Sequence, residues 1–184
     1  MAGPTLEDLL SVSESLETGA ARAYAAFSYL FGEGNARLRR FWWEMSVEEW
    51  EHASLVAMAR VLLSRKGGLE RPAPFSPESA AAAPRRAIER VNASLREGSL
   101  TLREAFEAAV EIERSETNRI FAEVCRLLAK EARDADLPAL AAAAEAAGAE
   151  GSDHVEHLLE EMKRTLGDPD LVREARRNLS GNLS

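Results

Sequence analysis

Read at alternating steps of three and four residues, the apolar positions of this chain fall into four long stripes, the pattern of helices that each bury one face. The first series is Leu6, Leu10, Ser13, Glu17, Ala20, Tyr24, Phe27 and Phe31, apolar or small everywhere except Glu17. Thr5 precedes it as an N-cap and Gly32 and Gly34 follow it, so the spacing predicts a helix between them. A second stripe, within a helix from about Arg39 to Arg65, carries Trp42, Met45, Glu49, His52, Val56, Ala59 and Leu63, and Gly67-Gly68 lies past its end. The third opens near Ser99 or Thr101 and carries Leu102, Phe106, Ala109, Glu113, Glu116, Ile120, Val124 and Leu127, ending around Arg133 to Asp136. The fourth begins near Leu137-Pro138 and carries Leu137, Leu140, Ala144, Ala147, Gly151, His154, Leu158 and Met162 until Gly167-Asp168-Pro169 breaks it.

The links differ in length. Those after the first and third helices are short, whereas Leu69 to Gly98 holds Pro72, Pro74, Pro77 and Pro84 and then a short helix expected from Arg85 to about Arg96. Short, long, short is the connectivity of an antiparallel four-helix bundle with one long crossover between helices two and three, and the expected class is all-α. Hydrophobic residues at 46% and charged residues at 29%, with alanine abundant, favour helix throughout. With 184 residues, the bundle is expected to occupy 1–166 as one domain, leaving 167–184 as a tail with room for one short helix. The closing Asn-Leu-Ser-Gly-Asn-Leu-Ser reads as a disordered end.

Polar residues interrupt each stripe well inside its helix: Glu17 on the first, Glu49 and His52 on the second, Glu113 and Glu116 on the third, His154 on the fourth. Four carboxylates facing one core each cost roughly several kcal/mol to bury unless something compensates them. No Lys or Arg occupies these stripes, so bound cations, assisted by the two histidines, are the cheaper solution. Residues three apart share a helix face, which lets Glu49 with His52, or Glu113 with Glu116, reach one ion or two adjacent ions. Carboxylate oxygen with imidazole nitrogen suits iron or manganese, and also zinc. His157 lies off the stripe and is expected at the surface.

Charge narrows the partners. Lys and Arg number 23 against 31 Asp and Glu, a net charge of -8, so no affinity for nucleic acid or anionic membrane is expected, while metal cations are attracted. The single Cys125 excludes an intramolecular disulfide and any four-cysteine iron or zinc centre on the chain. With neither a leader-like start nor a long apolar run, a soluble, cytoplasmic protein is expected. Tryptophans such as Trp43 point to self-association, with a homodimer expected, and Trp43 and Trp50 are equally suited to covering the bundle's end.

These residues resemble the rubrerythrin family of ferritin-like di-iron carboxylate proteins. The resemblance rests on Glu17 followed by Tyr24, on Glu49-Trp50-Glu51-His52, on Glu113-Arg114-Ser115-Glu116, and on the segment leading to His154. It implies two iron ions held by Glu17, Glu49, His52, Glu113, Glu116 and His154, and reduction of hydrogen peroxide or oxidation of ferrous iron in defence against oxidative stress. It further implies Glu116 as a mobile ligand exchanging with His52, and Tyr24 as a hydrogen-bonding group behind the ligands. Two departures qualify it. Gly151 stands where the family has a helix-four carboxylate that bridges the irons, with Glu150 or Asp153 as the nearest replacements. The single Cys125 cannot build the family's rubredoxin-like iron–thiolate domain, so electrons are expected from a separate donor such as a rubredoxin-like protein. Gly151 keeps two other functions open: a non-catalytic metal-binding or iron-handling protein with a single iron, manganese or zinc ion, and a helical scaffold with a degenerate site.

Overall fold

The computed structural model describes residues 3–113, 115–149 and 151–180, with side chains apart from 115–118, 151–153 and 178–180. Among them the chain is all-helical: α1 Leu6–Phe31, α2 Ala36–Arg65, α3 Pro77–Glu97, α4 Leu102–Ile112, α5 Ser115–Asp134, α6 Pro138–Ala149, α7 Gly151–Leu166 and α8 Pro169–Ser180. None of these helices is long and apolar enough to cross a membrane.

Local chemistry sets the helix ends. Thr5 caps α1 by accepting the Asp8 N–H while the Asp8 carboxylate accepts the Thr5 N–H at 2.7 Å, and Thr101 and Glu104 repeat the same box at α4. Asp136, at φ 56°, turns the chain between α5 and α6. The connection after α2 departs from expectation: its helix starts at Pro77, not Arg85, and runs for 21 residues. Pro77 takes the first turn, where its missing N–H is no loss, and the alanines 80–83 favour helix strongly enough to carry Pro84 inside. Leu137, placed on the inward stripe by spacing, is exposed because it precedes the first turn of α6.

α1 and α2 lie side by side and antiparallel. Ser28 Oγ donates to the Arg39 carbonyl at 2.9 Å and Ser46 Oγ to the Ala21 carbonyl at 2.8 Å, while Arg60 reaches back to Glu7 and Glu14. α5 packs along α6 and against α1 and α2; α4 packs against α3 and α7, and α8 returns against α7 and α4. The tail is therefore helical through Ser180, with Ala175 buried.

Two apolar cores result. One joins Leu10 and Leu16 of α1 to Val56 and Leu63 of α2, Ile120 and Leu128 of α5 and Ala144 of α6. The other joins Tyr24 and Phe27 of α1 to Trp42 and Met45 of α2, Phe106 and Ile112 of α4 and Leu158 of α7. Along the chain, Glu17 falls between the two cores, as do Glu49 with His52, Glu113, and His154. Glu17, Glu49, His52, Glu113 and His154 thus form one polar layer between two hydrophobic blocks.

Candidate metal centre

Glu17, Glu49, His52 and His154 are aimed by their helices, whereas Glu113 stands just past Ile112 as the residue that caps the end of α4. Glu17, Glu49 and Glu113 are buried, and His52 and His154 nearly so, on otherwise apolar faces. His52 Nδ1 lies 3.4 Å from Glu49 Oε2 and 3.7 Å from Glu17 Oε2, joining α1 to α2. Tyr24 O–H donates to Glu113 Oε1 at 2.7 Å, joining α1 to α4, and its ring stacks on Trp42. The imidazoles of His52 and His154 stack with centroids 5.5 Å apart.

Two groups of donors follow from this arrangement: Glu17, Glu49 and His52, and Glu49, Glu113 and His154. In each, one atom per residue lies within 4.8 Å of the others, and Glu49 belongs to both. Between them is a cavity of about 30 Å³, bordered also by Ile112, Phe121, Ala147 and Gly148. That is space for an ion or a water molecule, not for an organic substrate. Gly148 eases the close approach of α6 to α5, since a Cβ there would sit a tight 3.0 Å from the Cys125 Cβ.

Electrostatics mark these acids as unlike the other buried ones. Glu131 is compensated by Lys66 and Arg71, and Glu161 by Arg37 and Arg164. Glu17 and Glu49 have no Lys or Arg partner among the described residues, and Glu17 Oε1 is buried without a hydrogen bond. Burial pushes the Glu49 carboxyl up to about 7, the His52 hydrogen bond opposing and Glu17 adding to the rise. Burial, with the charge of Glu49, takes Glu113 up to about 8 against the pull of Tyr24. Burial works against a charge on His52, but hydrogen bonds to Glu17 and Glu49 and their charges together carry it up to about 10. Tyr24 is raised well above its ordinary value by burial and by the surrounding carboxylates, so it stays a protonated donor. Without a cation, the layer is held together by protons.

Of the site residues expected from sequence, Glu17, Glu49, His52, Glu113, His154 and Tyr24 converge on this layer. The side chains of Glu116 and Asp153, and residue Glu150, lie outside the described residues. His157 is exposed as expected, its ring set edge-on against Phe41 at 5.2 Å. Sequence reasoning missed Glu48, whose Oε2 lies 3.6 Å from His154 Nε2. The only signal for it was its place beside Glu49, since it lies off the inward stripe.

The chain matches no protein-family model, and neither a curated protein nor a solved structure matches it at a significant level.

Proposed function

We propose that α1, α2, α4 with α5, and α6 with α7 form a ferritin-like antiparallel four-helix bundle, with α3 in its long crossover. In this reading the polar layer holds a pair of metal ions, preferentially iron, for rubrerythrin-like reduction of hydrogen peroxide or oxidation of ferrous iron. The single observation that carries it is the position of Glu49, a carboxylate with two oxygens shared by two carboxylate-histidine donor groups. The orphaned Glu17 Oε1 and the ion-sized cavity fit the same assignment.

Bound iron would supply the redox capacity that no side chain here provides, with electrons delivered by a separate donor. The residues of the chain have the remaining tasks. Glu49, Glu113 and His52 hold protons that an arriving cation displaces, so the layer stays near neutral with or without metal. Tyr24 fixes the orientation of Glu113 through its O–H. Ile112 and Phe121 border the cavity with apolar surface and limit water there.

Gly151 favours a second reading, a non-catalytic metal-binding protein, because the fourth helix then brings only His154 to the layer from this stripe. Elemental analysis of protein purified after iron supplementation, followed by anaerobic ferrous loading and addition of peroxide, separates the two. Bound iron and peroxide consumption above that of Glu49→Ala support the oxidoreductase. Bound metal with neither peroxide consumption nor aerobic oxidation of added ferrous iron above that of Glu49→Ala supports the second reading, and no metal at all refutes both.

A further inference from the structure

Opposite its buried face, α2 turns a second stripe to solvent: Trp43, Val47, Trp50, Ser54, Met58 and Val61 are all exposed. Trp43 is 57% and Trp50 44% exposed, and Tyr29 of α1, 84% exposed, borders the same surface groove as Trp43. Large apolar side chains left singly at a surface are ordinary, but a continuous patch of this kind marks an interaction site. With Leu30, these residues present on the order of 700 Å² of apolar surface at ~200 Å² per large side chain, close to the ~800 Å² that each partner of a stable interface buries.

We propose that this face is the interface of a homodimer in which α2 pairs with α2 of a second copy, antiparallel about a two-fold axis at Ser54. A two-fold interface has to be complementary to itself, and this stripe is. At equal steps on either side of Ser54 stand Trp50 and Met58, then Val47 and Val61, then Trp43 and Arg65. Antiparallel pairing about Ser54 therefore sets each tryptophan against a favourable opposite. Trp50 meets Met58 of the second copy, a sulfur–aromatic contact, and Trp43 meets its Arg65, a cation–π contact. Val47 meets Val61, and the small Ser54 lets the helices approach at their crossing. Glu44, next to Trp43, comes within reach of the same Arg65. Neither Glu44 nor Arg65 enters an ion pair within the chain among the described residues, so both charges are available to a second copy. Arg60 is already held by Glu7 and Glu14 and stays clear of the seam.

The test is the mass of the full chain in solution by light scattering and sedimentation. At about 50 μM, above the weak end of affinities for interfaces of this size, the expected mass is twice 20.1 kDa. Ser54→Arg places like charges on the axis and weakens the dimer by roughly tenfold or more, while the circular dichroism spectrum is unchanged because Ser54 is exposed. Glu44→Arg and Arg65→Glu each weaken it, and the two combined restore it, which only the antiparallel register explains. A wild-type monomer at that concentration, a dimer indifferent to Ser54→Arg, or a charge-reversed pair that fails to recover would overturn the proposal.

Discussion

Replacing Glu49 by glutamine keeps the shape and hydrogen-bonding reach of the side chain and removes its charge, so it tests the polar layer at its shared member. The folded protein raises the Glu49 carboxyl from 4.5 to about 7, burial being the main cause. A group raised in this way stabilises the fold fully below the unfolded value, and that stability is lost as pH rises through the folded one. Wild-type protein without metal thus carries a buried carboxylate above about pH 7 that Glu49→Gln lacks. At 1.36 kcal/mol per unit, the difference amounts to roughly 3 kcal/mol in the variant's favour at alkaline pH and fades toward acid pH. For a chain of this size that is a rise in Tm of about 6–12 °C. Added metal reverses the sign, because Glu49 belongs to both donor groups and only its ionised form is a strong ligand. The assay is thermal unfolding of both proteins without metal at about pH 4.5 and about pH 8, and at about pH 8 with ferrous or zinc ion under anaerobic conditions. A variant less stable than wild type without metal, by the same amount at both pH values, would refute the reasoning and make Glu49 an ordinary structural acceptor.

Three further outcomes are expected. Metal affinity rises and protons are released from about pH 6 to about pH 9, because Glu49 and Glu113, raised from 4.5, and His52, raised from 6.5, all hold protons that the ion displaces. Calorimetry in buffers of different ionisation enthalpy measures this, and a pH-independent affinity would contradict it. Gly151→Glu adds a carboxylate one turn from His154, so it lowers stability without metal by about 1–3 kcal/mol and raises iron stoichiometry and iron-dependent stabilisation above wild type. Destabilisation that iron does not reverse would mark the layer as a scaffold feature. Tyr24→Phe removes the hydrogen bond to Glu113, so stability falls by roughly 1 kcal/mol and metal affinity falls about tenfold in equilibrium titration; an unchanged affinity would leave Tyr24 a packing residue.

Residue spacing reaches as far as one helix and its ends. Steps of three and four put Glu17, Glu49, His52, Glu113 and His154 on buried faces, and Thr5 and the Ser99–Thr101 region marked two helix starts, because both properties depend on neighbours within one turn. Periodicity fixes the direction of a side chain around its own helix; it does not fix how far one helix slides along another. Tertiary packing therefore decided that Glu49 is shared by two donor groups, that Tyr24 reaches Glu113, and that Glu48 approaches His154 from off the stripe. It also separated buried acids that spacing cannot tell apart. Glu131 and Glu161 meet cations from distant segments, Lys66 with Arg71 and Arg37, whereas Glu17 and Glu49 meet each other and His52. The extent of α3 drew on both levels: proline ordinarily breaks a helix, and Pro84 is kept in this one by the helix-favouring alanines before it and by its burial, which only packing supplies.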